Sequence, residues 1–168
     1  MKYIYLIPVA LALFLALGAS SVVDATSEGN VTVSADVEGW IDVTFNYNAV
    51  SFGTITVGTT DQAASGNSAG AYNVTVNASS DYYVQAYGSD FTSDGDSFSI
   101  SNLKMDTDTA PGNLAVGNAV ALSTSAQTID TGISYTVTTH YHGFWITIPS
   151  GTPPGTYSTT VTITYNLV

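Results

Sequence analysis

The chain has 168 residues, only 9% of them charged, and its 13 acidic side chains face two basic ones, Lys2 and Lys104, for a net charge of −11. So few cations exclude binding to a phosphate backbone and attraction to anionic lipid, each of which needs several. The absence of cysteine excludes disulfides, thiolate metal sites and cysteine nucleophiles.

Met1 and Lys2 precede an apolar run over residues 3–17, followed by small and polar residues at 18–21. This is the order of a secretory signal, and the run is short for a membrane span. Residues 1–25 are therefore expected to be a signal peptide, cleaved after Ala25 or after Gly18, leaving a secreted product with no stable membrane anchor. From residue 31 onward, period-two alternation dominates and no helical stripe is evident. Val31, Val33, Ala35 and Val37 share one face of a first strand, with Thr32, Ser34, Asp36 and Glu38 on the other. Ile41, Val43, Phe45 and Tyr47 repeat the pattern against Asp42, Thr44, Asn46 and Asn48. Residues 50–52 and 55–57 read as short strands flanking Gly53, and 59–70 as a loop of small residues.

Tyr72, Val74, Val76 and Ala78 form the inner face of the next strand, and residues 82–87 are expected to pair with it across a Ser79-Ser80-Asp81 turn. The Asp- and Gly-rich stretch 89–97 reads as a loop, 98–105 as one or two short strands, and 114–122 as loop plus a short strand. A strand pair closes the chain: 133–142 and 144–148 lead through a Pro- and Gly-rich turn at 149–155 into a last strand. There Tyr157, Thr159, Val161, Ile163, Tyr165 and Leu167 face inward, and Ser158, Thr160, Thr162 and Thr164 form an outer hydroxyl row. Many short strands with one polar face each predict an all-β fold, an antiparallel two-sheet β-sandwich of jelly-roll or Ig-like type. Outer faces rich in Thr rather than Lys or Glu are unusual, because edge strands are normally blunted by charge.

The motifs carry little catalytic chemistry. Gly66-Asn67-Ser68-Ala69-Gly70 matches a nucleophile-elbow pattern, but that pattern acts only at a strand-to-helix turn. Glu28 and Glu38 are the only glutamates and both lie near the start of the exported chain. The expectation is a protein that is not an enzyme. Asn30, Asn73 and Asn77 head glycosylation sequons. Asp90, Asp94, Asp96, Asp106 and Asp108 concentrate oxygen ligands that Ca²⁺ accepts, although Asp is equally the ordinary turn residue. No other cofactor is implied. His140 and His142 project from one strand face, as a metal pair or as structural residues. Trp40, Tyr83, Tyr87, Tyr141 and Trp145 are candidates for a sugar-binding platform, or for packing.

VTVSADV at 31–37, VSFGTITVGT at 50–59 and IPSGTPPGTYSTTVTITY at 148–165, behind a secretion signal, resemble archaeal extracellular fibre subunits of the bundling-pilin and thread type. Those are related to the TasA-type biofilm fibre proteins. The FG-x-x-x-x-GT element and the IP-x-G-x-x-x-GTY hairpin carry the resemblance; the hundred residues between match only in kind. It implies a filament subunit acting in adhesion or biofilm. Subunits would assemble head to tail by donor-strand complementation, in which an N-terminal strand of one copy fills a groove in the next. Residues 26–38 would then be the donor segment, with Val31, Val33, Ala35 and Val37 as plugs, Glu38-Gly39 as the hinge and 39–168 as the sandwich domain. The same strand completing its own sheet, and a monomeric surface adhesin or carbohydrate-binding module of the same fold, remain the alternatives.

Overall fold

The computed structural model describes residues 34–35, 37–134 and 137–168. The expected signal peptide, Asn30, Val31 and Val33 lie outside the described residues. Residues 1–36 and 37–168 are separate units. Of the first, Ser34 and Ala35 are described, both exposed and in no strand.

The second unit is all-β and antiparallel, with two 3-10 turns at Ile100–Asn102 and Pro111–Asn113. Its strands are β1 (Ile41–Phe45), β2 (Gln62–Ala63), β3 (Asn73–Ala78), β4 (Tyr82–Gly88), β5 (Phe91–Ser93), β6 (Asp96–Phe98), β7 (Leu103–Asp108), β8 (Val120–Ala121), β9 (Gln127–Ile133), β10 (Thr138–Ile146) and β11 (Val161–Leu167). One sheet has the order β1-β3-β10-β7-β8, with β2 also on β10. A second has the order β11-β4-β9, and β5 and β6 form a separate hairpin. Among the described residues no helix is long and apolar enough to cross a membrane.

Alternation places side chains as the sequence predicts in β3 and β4, whereas Phe45 of β1, expected to face inward, is exposed. Tyr72, Val74, Val76 and Ala78 are buried, as are Tyr82, Val84 and Ala86. The expected pairing of these two strands is not found. β3 pairs with β1 and β10, whereas β4 pairs with β11 and β9. The Ser79-Ser80-Asp81 connection crosses between sheets instead. Its donors and acceptors are met elsewhere: Ser79 N–H donates to Trp40 O, and Asp81 O accepts from Val168 N–H. β10 and β11 likewise belong to different sheets, so the Pro- and Gly-rich stretch between them is a crossing rather than a hairpin turn.

Further elements differ from expectation: in place of one strand over 133–142, β9 ends at Ile133 and β10 begins at Thr138, and the last strand begins at Val161 rather than Tyr157. β10 runs unbroken through Gly143, where an added Cβ would lie 2.5 Å from the Trp145 ring, so glycine is required there for the indole to lie against the strand. Asp94 (φ 46) and Gly95 (φ 97) form the tight turn of the β5–β6 hairpin within the stretch read as a loop. Two successive left-handed residues suit a two-residue hairpin, and Asp-Gly is a favoured pair for it. Residues 50–52 and 55–57 form no strand.

The inner faces of the two sheets meet in two clusters. One gathers Val74 and Val76 of β3, Tyr82 and Val84 of β4, and Tyr165 of β11. The other gathers Tyr72, Phe144, Ile146, Leu103 and Met105 with Ala86, Phe91, Phe98 and Ile100.

Candidate functional site: an apolar groove with uncharged walls

β1 and β11 are the edge strands of their sheets, and they approach each other on the same side of the unit. Past Phe45 the chain leaves β1 and runs through residues 47–57 without joining a sheet. Its backbone is tied at Ser51, whose carbonyl accepts from Ser65 N–H at 3.1 Å, and at Gly58 and Thr59, which exchange hydrogen bonds with Ile148. Opposite runs residues 152–160 leading into β11, anchored to the β5–β6 hairpin by the Thr92–Ser158 bridge. Between these two stretches lies a groove of about 590 Å³. Val50, Phe52, Ile55 and Val57 line one wall and Tyr157, Val161 and Ile163 the other. Phe91, Phe98, Leu103, Phe144, Ile146 and Ile148 form the floor. Residues 43–60 and 143–168 contain no Asp, Glu, Lys, Arg or His, so both walls are free of charge in a chain of net charge −11.

The groove ends at a polar seam between the sheets. His142 Nδ1 lies 2.5 Å from Tyr47 Oη and its Nε2 lies 2.7 Å from Tyr165 Oη. A neutral imidazole has one donor and one acceptor nitrogen, so one tyrosine donates to the ring and the other accepts from it. His140 Nε2 pairs with Tyr82 Oη at 2.7 Å, while its Nδ1 finds no hydrogen-bond partner among the described residues. Both histidines are 1% exposed. Burial, with His140 beside it, pushes His142 down to about 3, and burial lowers His140 too. Tyr47 and Tyr165 are raised well above the ordinary tyrosine range, by burial first and by neighbouring tyrosines second. The seam is neutral near pH 7 and ties the start of the groove's first wall, through Tyr47, to β11, through Tyr165.

The residues singled out by sequence are distributed as follows. Val37, the one donor-face residue described in the second unit, is 90% exposed and in no strand. Gly39 does not adopt a positive φ, and an added Cβ would meet Leu167 Cδ1, the end of a flexible side chain, at 2.8 Å. Asn73 and Asn77 lie on the outward face of β3. The Asn73 side chain is engaged, accepting from Asn46 Nδ2 at 2.7 Å and donating to Gly70 O at 3.0 Å.

The five aspartates are not brought together as a Ca²⁺ site: no group of three or more His, Cys, Asp or Glu suited to a metal occurs among the described residues. Several act on the backbone instead. Asp90 accepts from Ile100 N–H, Asp106 from Thr107 and Ala115, and Asp108 from Ala110. Asp94 and Asp96 belong to the β5–β6 hairpin. Lys104 pairs with Asp61 at 2.8 Å. Ser68 of the elbow-like motif is exposed in a turn that leads to a strand, and neighbouring Asn67 bonds both backbone groups of Phe144.

The aromatic candidates do not share a platform. Trp145 is 7% exposed, Trp40 lies beside Ser79, and Tyr83 and Tyr87 project from the outer face of β4. The resemblance implies an acceptor groove without placing it; its walls are two uncharged stretches, apolar at Val50, Phe52, Ile55 and Val57 and at Tyr157, Val161 and Ile163. The Tyr–His seam had a weaker signal, the shared face of His140 and His142. No protein-family model matches the chain, and no curated protein matches it.

Proposed function

We propose that this chain is a non-enzymatic structural subunit of a secreted extracellular filament, assembled by donor-strand complementation. In this reading the second unit is a two-sheet β-sandwich of Ig-like or jelly-roll kind that lacks one strand, and the donor is residues 26–38 of another copy. The observation that carries the reading is the groove itself. It is lined largely by apolar side chains, reaches the first residues of the edge strand β11, and is bounded by the same two stretches, 50–59 and 148–165, that resemble the fibre subunits.

An added strand gains main-chain hydrogen bonds from an edge while alternate side chains enter pockets. Val31, Val33, Ala35 and Val37 have the size and alternation for that role. Residues 50–57 read as strand in sequence yet lack a strand neighbour in the single chain, which is what an acceptor wall awaiting a partner requires. Head-to-tail addition is heterologous and does not close, so it yields a filament.

The test removes residues 26–37 and adds them back as a peptide. The shortened subunit is expected to stay folded and monomeric and to bind the Thr26–Val37 peptide, which caps growth of the intact protein. A full-length protein that stays monomeric with residues 31–37 protected in its own sheet against hydrogen exchange would refute the reading.

A further inference from the structure

The chain enters the second unit at one end of the sheets, and the groove lies toward the other. At the entry end Trp40 sits beside Ser79, and Leu167 pairs with Tyr82. At the far end Phe45 pairs with Val74, Val161 pairs with Gly88, and the groove follows. At the entry end Trp40 is 51% exposed.

Its backbone is nonetheless fixed. Trp40 N–H donates to Ser79 Oγ at 2.7 Å, and Trp40 O accepts from Ser79 N–H at 2.9 Å and from Ser79 Oγ at 3.0 Å. Gly39, just before it, passes close against Leu167. The indole makes no hydrogen bond or aromatic contact among the described residues. A large aromatic side chain is thus presented to solvent from a pinned backbone, an arrangement that lowers the entropy cost of using it in an interface.

Its position specifies the partner. Residues 1–36 connect to the unit at Val37, which is at most about 11 Å along the chain from Trp40. If those residues lie in the groove of a neighbouring copy, the indole is brought against that copy. What it meets there suits it: the groove walls carry no charge, and Val57 on one wall and Pro153 and Pro154 on the other are apolar and exposed. Two copies of a chain with net charge −11 repel over most of their surfaces, and an uncharged groove is where close approach costs least.

We infer that Trp40 anchors the junction between successive copies, its indole seated at the groove of the next copy against Val57, Pro153 and Pro154. The inference rests on the filament reading and adds a contact outside the donor strand.

Intrinsic fluorescence tests it on the intact protein. Trp145 is buried, so Trp40 supplies the quencher-accessible tryptophan emission. During polymerisation the emission is expected to shift to the blue, and acrylamide quenching to fall to the level of a Trp40→Phe variant. Trp40→Ala is expected to raise the concentration needed for polymerisation about tenfold, the scale of an interface anchor. Its thermal midpoint and its affinity for the Thr26–Val37 peptide are expected to stay unchanged, because the groove is intact. Polymers whose Trp40 remains as quenchable as in the monomer, or Trp40→Ala protein that polymerises at the wild-type concentration, would overturn the inference and leave the filament reading standing. A protein that neither polymerises nor binds the peptide would overturn both.

Discussion

The seam and the groove are built from the same kinds of residue and are finished differently. In the seam, β3 and β10 face β4 and β11, so Val74, Val76, Tyr82, Val84 and Tyr165 have neighbours from both sheets, and the tyrosine hydroxyls meet histidine nitrogens. At the groove the floor is equally apolar, but one wall is a stretch in no sheet and the other an edge strand. Hydrophobic sequence is therefore not what separates a closed core from an open one here. Among the described residues the difference lies in pairing: the seam is flanked by strands of both sheets, and the groove has the unpaired stretch 47–57 on one side.

If the seam holds the two sheets together, breaking it should cost most. Tyr82→Ala removes a fully buried ring and leaves His140 Nε2 without its partner. A loss of about 3–5 kcal/mol in chemical denaturation is expected, the range for large aromatic truncations. A loss under about 1 kcal/mol would show that the seam is not where the sheets are joined.

Acid should act on the same place. His142 is held at about 3 when folded, against an ordinary value near 6.5. A depressed base contributes stability that is complete above pH 6.5 and is withdrawn as pH falls toward 3, about 4 kcal/mol of it by pH 3.5. Asp106 opposes this: burial raises its carboxyl, so its contribution favours the folded state as pH falls. The net decline should be visible in denaturation midpoints between pH 7 and 3.5, and His142→Gln should flatten it. An equal slope in the variant would place the acid sensitivity elsewhere. Tyr47→Phe is a smaller change at the seam. It strips His142 Nδ1 of its hydroxyl partner, for an expected loss of about 1–3 kcal/mol.

The contrast also marks what the sequence could disclose. Which residues face inward follows from period two, and Tyr72, Val74, Val76 and Ala78, like Tyr82, Val84 and Ala86, obey it. Which strands pair does not follow, because a Ser79-Ser80-Asp81 connection is chemically as suited to crossing between sheets as to turning within one. β9 is not legible as a strand because Thr128, Asp130, Thr131 and Gly132 dilute its apolar pattern, and it is bulged against β4. The β5–β6 hairpin was legible in Asp94-Gly95 but was masked by the surrounding acidic residues. Residues 50–57 are the instructive case: their alternation is real, yet a strand exists only beside another. The resemblance implies a groove but cannot place it, because no local pattern marks which strand-like stretch will lack a neighbour.

The smallest effect on the isolated subunit tests the distinction most sharply. Phe52 lies on the groove wall, half-buried, in a stretch without strand partners. Its ring packs against the buried cluster but is only partly covered, so Phe52→Ala should cost the free subunit about 1–2 kcal/mol, below a full core truncation. In the proposed assembly a strand in the groove would cover the same ring further. Its loss should then weaken capture of the Thr26–Val37 peptide about tenfold, read by titration. Tyr82→Ala should show the opposite profile, with a large cost to the free fold. Should Phe52→Ala destabilise the free subunit as much as Tyr82→Ala does, residues 47–57 are already core, and the groove is closed without a partner.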